Sequence, residues 1–229
     1  MIRDLVEKMI ADLTPEGVQT FFDPASFPWV ARVEAGWRAI RAELDTLLVH
    51  RDEIPNFQEI SKDQEILTQG NDWKTFFFCA YGHEAEQNCA RCPETARLLR
   101  CIPGMKTAMF SILAPRKHIP EHRGPYKGVL RYHLGLMVPE PCTNYRIRVG
   151  KEVRSWAEGQ SLIFDDSHPH EVWNDSDSYR VILFVDFVRP LPFPLSLFNR
   201  IMIWRISRTP FVTEAMERVR KANLIQTSG

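Results

Sequence analysis

The sequence has no surplus of charge: 29 basic residues are balanced by 29 acidic ones. A neutral chain carries no global field to gather nucleic acid, which argues against a nucleic-acid partner. Nor does it contain the run of about eighteen uninterrupted apolar residues that a spanning helix needs, so no spanning segment is expected. The opening stretch, Met1-Ile-Arg-Asp-Leu-Val-Glu7, puts acids among its apolar positions, unlike a secretory signal. Cysteines are few and odd in number, five in all, which argues against a complete disulfide framework. Cys89 and Cys92 form a C-x-x-C near Cys79, His83 and Cys101, but no second pair at matching spacing completes a zinc site. Reduced thiols are the first reading, a local disulfide the second and zinc the third.

What is present is an ordinary soluble composition, 44% hydrophobic and 25% charged, in a length that one well-buried domain can fill. One domain over 1–229 is expected, with a helical part at 1–70, a β core at 71–190 and closing helices at 191–229. A short helix is expected around Leu5, Met9 and Leu13. Val30, Val33, Trp37, Ile40, Leu44 and Leu47 recur at helical spacing and predict one long amphipathic helix between Pro28 and His50. Trp73–Tyr81 is aromatic and strand-like, and Pro93–Cys101 reads as a short helix. From Gly104 onward the chain breaks into short extended segments at 106–113, 129–137, 145–149, 161–164, 171–173 and 180–187, separated by turn residues. Helices first and short strands afterwards imply an α+β fold with a jelly-roll core. Leu195–Ser207 and Pro210–Asn223 read as closing helices, the second capped by Thr209. The first mixes Leu197, Phe198, Ile201 and Trp204 with Arg200, Arg205 and Arg208. It reads either as a helix packed on the sheet with snorkelling arginines or as a peripheral membrane contact over 195–208. The chain is accordingly expected in the cytoplasm, or peripheral to the inner face of the membrane.

Three residues concentrate the chemistry. His122 and His170 each stand at the end of an extended segment, and Arg180 follows in the last strand. Two imidazoles suit iron, and an arginine among apolar neighbours such as Ile182 and Phe184 calls for a carboxylate partner. Strand alternation puts Arg131 and His133 on one face and Leu130, Tyr132, Leu134 and Leu136 on the other, so the basic face points at a cavity or a ligand. Open iron sites normally add a carboxylate in the form H-x-D/E, and here Gly124 stands where that acid would be. Either water or Asp166 fills the role, Asp166 being also suited to supporting a ligand by hydrogen bonding. His168 is the rival ligand.

His122-x-Gly-Pro, Leu130-Arg-Tyr-His-Leu-Gly-Leu136, Trp156-x-Glu-Gly159, Leu162-Ile-Phe-Asp-Asp-Ser167, His170-Glu-Val-Trp173 and Arg180 together resemble the aspartyl/asparaginyl β-hydroxylase family, which includes the related lipid A acyl hydroxylases. The resemblance runs from about Trp73 to Arg189. It implies a dioxygenase dependent on Fe(II) and 2-oxoglutarate, with O2 as the other co-substrate, built on a double-stranded β-helix. Members characteristically lack the acidic ligand, in keeping with Gly124. Carried over by position, His122 and His170 match the iron ligands and Arg180 the arginine that receives the distal carboxylate of 2-oxoglutarate. Trp73, Ser111, Arg131 and His133 match positions lining the co-substrate pocket. The implied substrate is the β-carbon of an aspartyl or asparaginyl residue in a peptide or protein. A free amino acid is another candidate, and an acyl chain of lipid A is the alternative within the family. Outside enzymes, the same two-ligand site would suit a cupin-like binding module without turnover. A zinc hydrolase lacks a convincing general base beside the histidines.

Overall fold

The computed structural model describes residues 2–60, 68, 70–209, 213, 214, 217 and 218. Of the helix expected over 210–223, only 213, 214, 217 and 218 are among these residues, and all four are helical. Among the described residues, eleven strands form two antiparallel sheets. They are β1 (Phe21–Phe22), β2 (Trp73–Ala80), β3 (His83–Glu84), β4 (Met105–Leu113), β5 (His118–His122), β6 (Val129–Met137), β7 (Tyr145–Val149), β8 (Glu152–Ser155), β9 (Ser161–Phe164), β10 (His170–Asn174) and β11 (Arg180–Val188). The larger sheet runs β1-β9-β6-β11-β4-β2-β3 and the smaller β5-β10-β7-β8. The eight strands β4 to β11 therefore divide equally between two facing sheets, the arrangement of a jelly roll.

Alternation along the large sheet builds two cores. Its outer residues, among them Phe76, Phe78, Phe110, Leu130, Tyr132, Leu134, Leu183 and Val185, pack against helices. Those helices are α2 (Val30–Ala35), α3 (Trp37–Leu48) and α6 (Pro93–Leu99), with α5 (Glu86–Arg91) just before α6. Its inner residues, including Trp73, Phe77, Met109, Leu113, Ile182 and Phe184, meet Ile119, Tyr145, Ile147, Val149 and Val172 of the small sheet. A jelly roll with helices on one face is thus the α+β class that the segment order implies.

The long helix expected from Pro28 to His50 is two helices, α2 and α3, divided at Gly36. A side chain there would meet Leu98 Cδ1 at 2.4 Å, so α6 presses on the chain at the one residue able to yield. Four short strands, β1, β3, β5 and β8, also fall outside the numbered extended segments expected from the sequence, although the end of an extended segment was expected at His122, which β5 carries. At the ends, α1 (Ile2–Leu13) packs against α7 (Leu195–Ile206), and a short α4 (Phe57–Ile60) lies beside β2.

All five cysteines are free. Burial pushes the thiols of Cys89 and Cys92 up to about 12, and Cys89 Sγ points at the carbonyl of Phe78 at 3.5 Å. The C-x-x-C is therefore packing under the sheet, neither a disulfide nor a thiolate pair.

Candidate active site

β5 and β10 pair so that His122 lies directly opposite His170, with ring centroids 4.1 Å apart. His122 Nδ1 lies 2.8 Å from the carbonyl of Pro120, and His170 Nδ1 lies 3.0 Å from that of His168. A carbonyl only accepts, so each Nδ1 carries the proton and each Nε2 keeps its lone pair. Burial lowers the pKa of both rings, that of His170 to about 3. Two adjacent neutral imidazoles with fixed tautomers are the form in which histidine binds a metal. Among the described residues no three His, Cys, Asp or Glu side chains gather as a metal-binding group. The candidate centre is a histidine pair.

The rival ligand His168 turns elsewhere. Its Nε2 lies 3.4 Å from Lys127 Nζ and 3.9 Å from Asp165, in a separate buried cluster with Arg189. Only its carbonyl serves the pair, by holding His170.

Asp166 occupies the room that an acidic side chain two residues after His122 would need. A Cβ built on Gly124 would stand 2.0 Å from Asp166 Oδ2. The Asp166 carboxylate also lies 2.8 Å from Arg131 Nη2, close but without a well-aligned hydrogen bond on either oxygen. Arg131 Nε in turn donates to Asp186 at 2.8 Å, its directly paired neighbour on β11, and its guanidinium covers the ring of Phe184 at 4.3 Å. Two carboxylates share one guanidinium in a dry place. Burial therefore raises Asp166 to about 7, against the pull of Arg131. Burial also works against the charge on Arg131, but Asp166 and Asp186 outweigh it and push its pKa up. The basic face of β6 consequently holds no free cation at 131. Arg131 lines the cavity with its charge already paired to two carboxylates.

That cavity has a volume of about 130 Å³ and is bordered by His122, Arg131, Asp166, Trp73, Phe184 and Met109, with Arg123, Gly124 and Pro125 on its loop side. Trp73 stacks on Phe57, centroids 4.0 Å apart, and its Nε1 donates to Ser111 Oγ at 2.9 Å.

Arg180 is buried deeper, on the same inner face. It is 2% exposed, and both Nε and Nη1 lack a hydrogen-bond partner among the described residues. Its guanidinium lies over the ring of Trp156 at 4.5 Å, and burial alone lowers its pKa to about 9. Trp156 Nε1 donates to His133 Nδ1 at 3.3 Å, and the His133 ring sits among Phe164 and Phe184, leaving its Nε2 buried and unpartnered. Phe164 also touches the ring of His170, so one aromatic layer joins the histidine pair to the arginine. Thr75, paired in register with Ser111 and wholly buried, has an Oγ1 without a partner as well.

Thr75 and Trp156 were not among the residues expected from the sequence. Strand alternation from Trp73 through Thr75 to Phe77 was the available signal for the first. For Trp156 there was only its place in a motif. Unpaired buried polar atoms cost roughly 1–3 kcal/mol each, more for a charge. Their concentration on one inner face, around a guanidinium and a histidine pair, leaves polar groups that a bound ligand could satisfy.

The family profile described as aspartyl/asparaginyl beta-hydroxylase matches residues 34–190. The chain is 49% identical to the ornithine lipid ester-linked acyl 2-hydroxylase of Rhizobium tropici over 196 residues, 86% of this chain and 70% of that protein. It is 36% identical to the aspartyl/asparaginyl beta-hydroxylase of Homo sapiens over 167 residues, 70% of this chain but 21% of that one. The mouse aspartate beta-hydroxylase domain-containing protein 2 is 34% identical over 172 residues, 70% of this chain and 48% of that protein. The chain thus spans about a fifth and about half of these two animal relatives. It belongs to the aspartyl/asparaginyl β-hydroxylase family.

Proposed function

We propose that the chain is an Fe(II)- and 2-oxoglutarate-dependent dioxygenase that hydroxylates an acyl chain of a membrane lipid. The observation that carries the reaction class is Arg180, a buried guanidinium with two unpartnered nitrogens on the same inner face as the histidine pair. The donor set fits both groups. Nε2 of His122 and Nε2 of His170 would hold iron, and Arg180 would receive the distal carboxylate of 2-oxoglutarate through its planar fork. When bound, iron and 2-oxoglutarate together supply the oxidation that places one atom of O2 in an aliphatic C–H bond and the other in succinate, with release of CO2.

The chain's own residues do the rest. The carbonyls of Pro120 and His168 fix the two imidazoles, and Trp156 fixes His133. Trp73, Met109 and Phe184 line the cavity with apolar surface and keep water from it. Asp186 and Arg131 hold the carboxylate of Asp166 beside Gly124.

The lipid reading of the substrate draws on the relative from Rhizobium tropici, whose match extends over 86% of this chain. The second reading, hydroxylation at the β-carbon of an aspartyl or asparaginyl residue, draws on the family profile and the human relative. Aerobic incubation with Fe(II), ascorbate and 2-oxoglutarate, against acyl lipids, peptides and amino acids, separates them. Succinate formation with one added oxygen on an acyl chain is the expected result, lost in His122→Ala. Oxygen on a peptide instead selects the second reading. Binding of 2-oxoglutarate without succinate under any condition would leave a binding module and end both.

A further inference from the structure

α7 has two apolar faces, and among the described residues only one of them is packed. Leu195, Asn199 and Met202 are buried; Met202 packs with Val6 and Ile10 of α1 and with Tyr126, and Ile206 lies against the same cluster. On the opposite side, Leu197, Ile201 and Trp204 follow one another at helical spacing and stand 49%, 47% and 57% exposed. Phe198 beside them and Phe193 just before the helix are exposed as well. Arg200 and Arg205 flank this stripe, and Arg208 closes its end with its guanidinium 3.8 Å from the centroid of Trp204. No acidic residue occurs between Asp186 and Glu214, so the helix's own charge is of one sign, with Asp4 of α1 beside Arg205 on the packed side.

From these features we infer that the exposed face of α7 docks on an anionic phospholipid bilayer. Apolar and aromatic side chains along one stripe enter the headgroup boundary, and arginines on both flanks reach the phosphates. Trp204 suits that depth, having a large apolar body and a polar N–H. A protein partner recognising the stripe would be expected to bring carboxylates to three arginines at helical spacing. A bilayer offers a continuous field of phosphates and needs no such register.

The helix is also joined to the candidate site. Tyr126 Oη donates to Asn199 Oδ1 at 2.8 Å, and Asn199 Nδ2 donates to the carbonyl of Gly128 at 2.8 Å. Residues 126 and 128 belong to the loop whose Arg123, Gly124 and Pro125 border the cavity. A side chain at Gly128 would meet Asn199 Oδ1 at 1.9 Å, so loop and helix fit with no room between them. Docking through α7 therefore holds the loop beside the histidine pair close to the lipid surface. The docking surface stands on the helix alone and does not require the proposed reaction.

Flotation of the whole chain with vesicles of phosphatidylglycerol and phosphatidylcholine, against vesicles of phosphatidylcholine alone, tests it. Wild-type protein should float with the anionic vesicles and lose partition as salt rises. Replacing Arg200, Arg205 and Arg208 with Glu should weaken partition at least about a hundredfold, on about fivefold per lost arginine. Trp204→Ser with Ile201→Ser should weaken it too, and all these variants should keep the wild-type thermal midpoint because the positions are exposed. Succinate formation on detergent-dispersed substrate should persist in the triple Glu variant, which separates loss of docking from loss of the site. Absence of wild-type flotation would overturn the inference, as would undiminished flotation of the triple variant. So would a stable dimer in sedimentation that Trp204→Ser dissociates, since the face would then belong to a second copy.

Discussion

Arg180 lies 4.5 Å above the ring of Trp156, and among the described residues no carboxylate pairs with its Nε or Nη1. The aromatic face offsets part of the cost of burying the charge, and the remainder is left for a ligand to supply. Arg180→Met should therefore leave the ligand-free protein as stable as wild type, or more so, because an uncompensated charge is removed. The same change should weaken 2-oxoglutarate binding by about 2–4 kcal/mol, the cost of losing a charge-assisted partner. Arg180→Lys should not restore it, since an ammonium cannot offer two parallel donors. Differential scanning fluorimetry with Mn(II), with and without 2-oxoglutarate, reads both effects. An undiminished thermal shift in Arg180→Met would remove the arginine from the site.

Gly124 and Asp166 compete for one volume, and that makes their substitutions interdependent. Gly124→Ala drives a methyl group to within 2.0 Å of Asp166 Oδ2 and should cost about 1–3 kcal/mol of stability through overpacking. In an Asp166→Ala background the same change should cost much less, because the obstructing oxygen is gone. Urea denaturation of the four proteins of that cycle measures the coupling directly. Independent, additive costs would mean that Asp166 does not fill the space beside Gly124.

The jelly roll was legible because its strands carry short-range signals: alternating faces, β-branched and aromatic residues, and turns between them. The division of the long N-terminal helix was not, since the pressure on Gly36 comes from Leu98, far along the chain. At the site, alternation placed Arg131 and His133 on one face, an inference within a single strand. That Asp186 takes the charge of Arg131 depends on the register of β11 against β6, which only the folded sheet fixes. The pairing of His122 with His170 is likewise a matter of cross-strand register. Its outcome could be anticipated only through the ordered motifs as a set. Thr75 went unread because a single threonine in an aromatic strand announces nothing until its partnerless hydroxyl is seen.

The buried cysteines give a chemical test of the packing under the sheet. A thiol whose pKa is about 12 is about one part in ten thousand thiolate at pH 8, so Cys89 and Cys92 should resist iodoacetamide in the native protein. Cys79, also raised by burial, should resist as well. Cys101 and Cys142 are half-buried and should label first. All five should react once the chain is unfolded. Peptide mass mapping reads the order, and early labelling of Cys89 or Cys92 would mean that helices α5 and α6 do not seal that face.

The histidine pair should also mark the acid side of the stability profile. Burial holds the His170 pKa at about 3 in the folded chain, against an ordinary value of 6.5. Between those values the unfolded chain binds a proton that the folded chain refuses. The stability that neutral His170 contributes is therefore complete above pH 6.5 and is lost as pH falls toward 3, by up to about 1.4 kcal/mol per unit. Asp166 acts in the opposite direction, because its raised pKa favours the folded state as pH falls from about 7 toward 3.8. The two contributions oppose each other over much of that window, while His122, His133 and His168, also held below 6.5 by burial, add to the loss on acidification. His170→Asn removes one side of the balance, so this variant should gain stability relative to wild type on acidification from pH 6.5 to 4. Asp166→Asn should show the reverse, losing stability over the same interval. Urea midpoints across that range, measured without metal, distinguish the two slopes. Parallel profiles for all three proteins would mean that neither group is held away from its ordinary pKa by the fold.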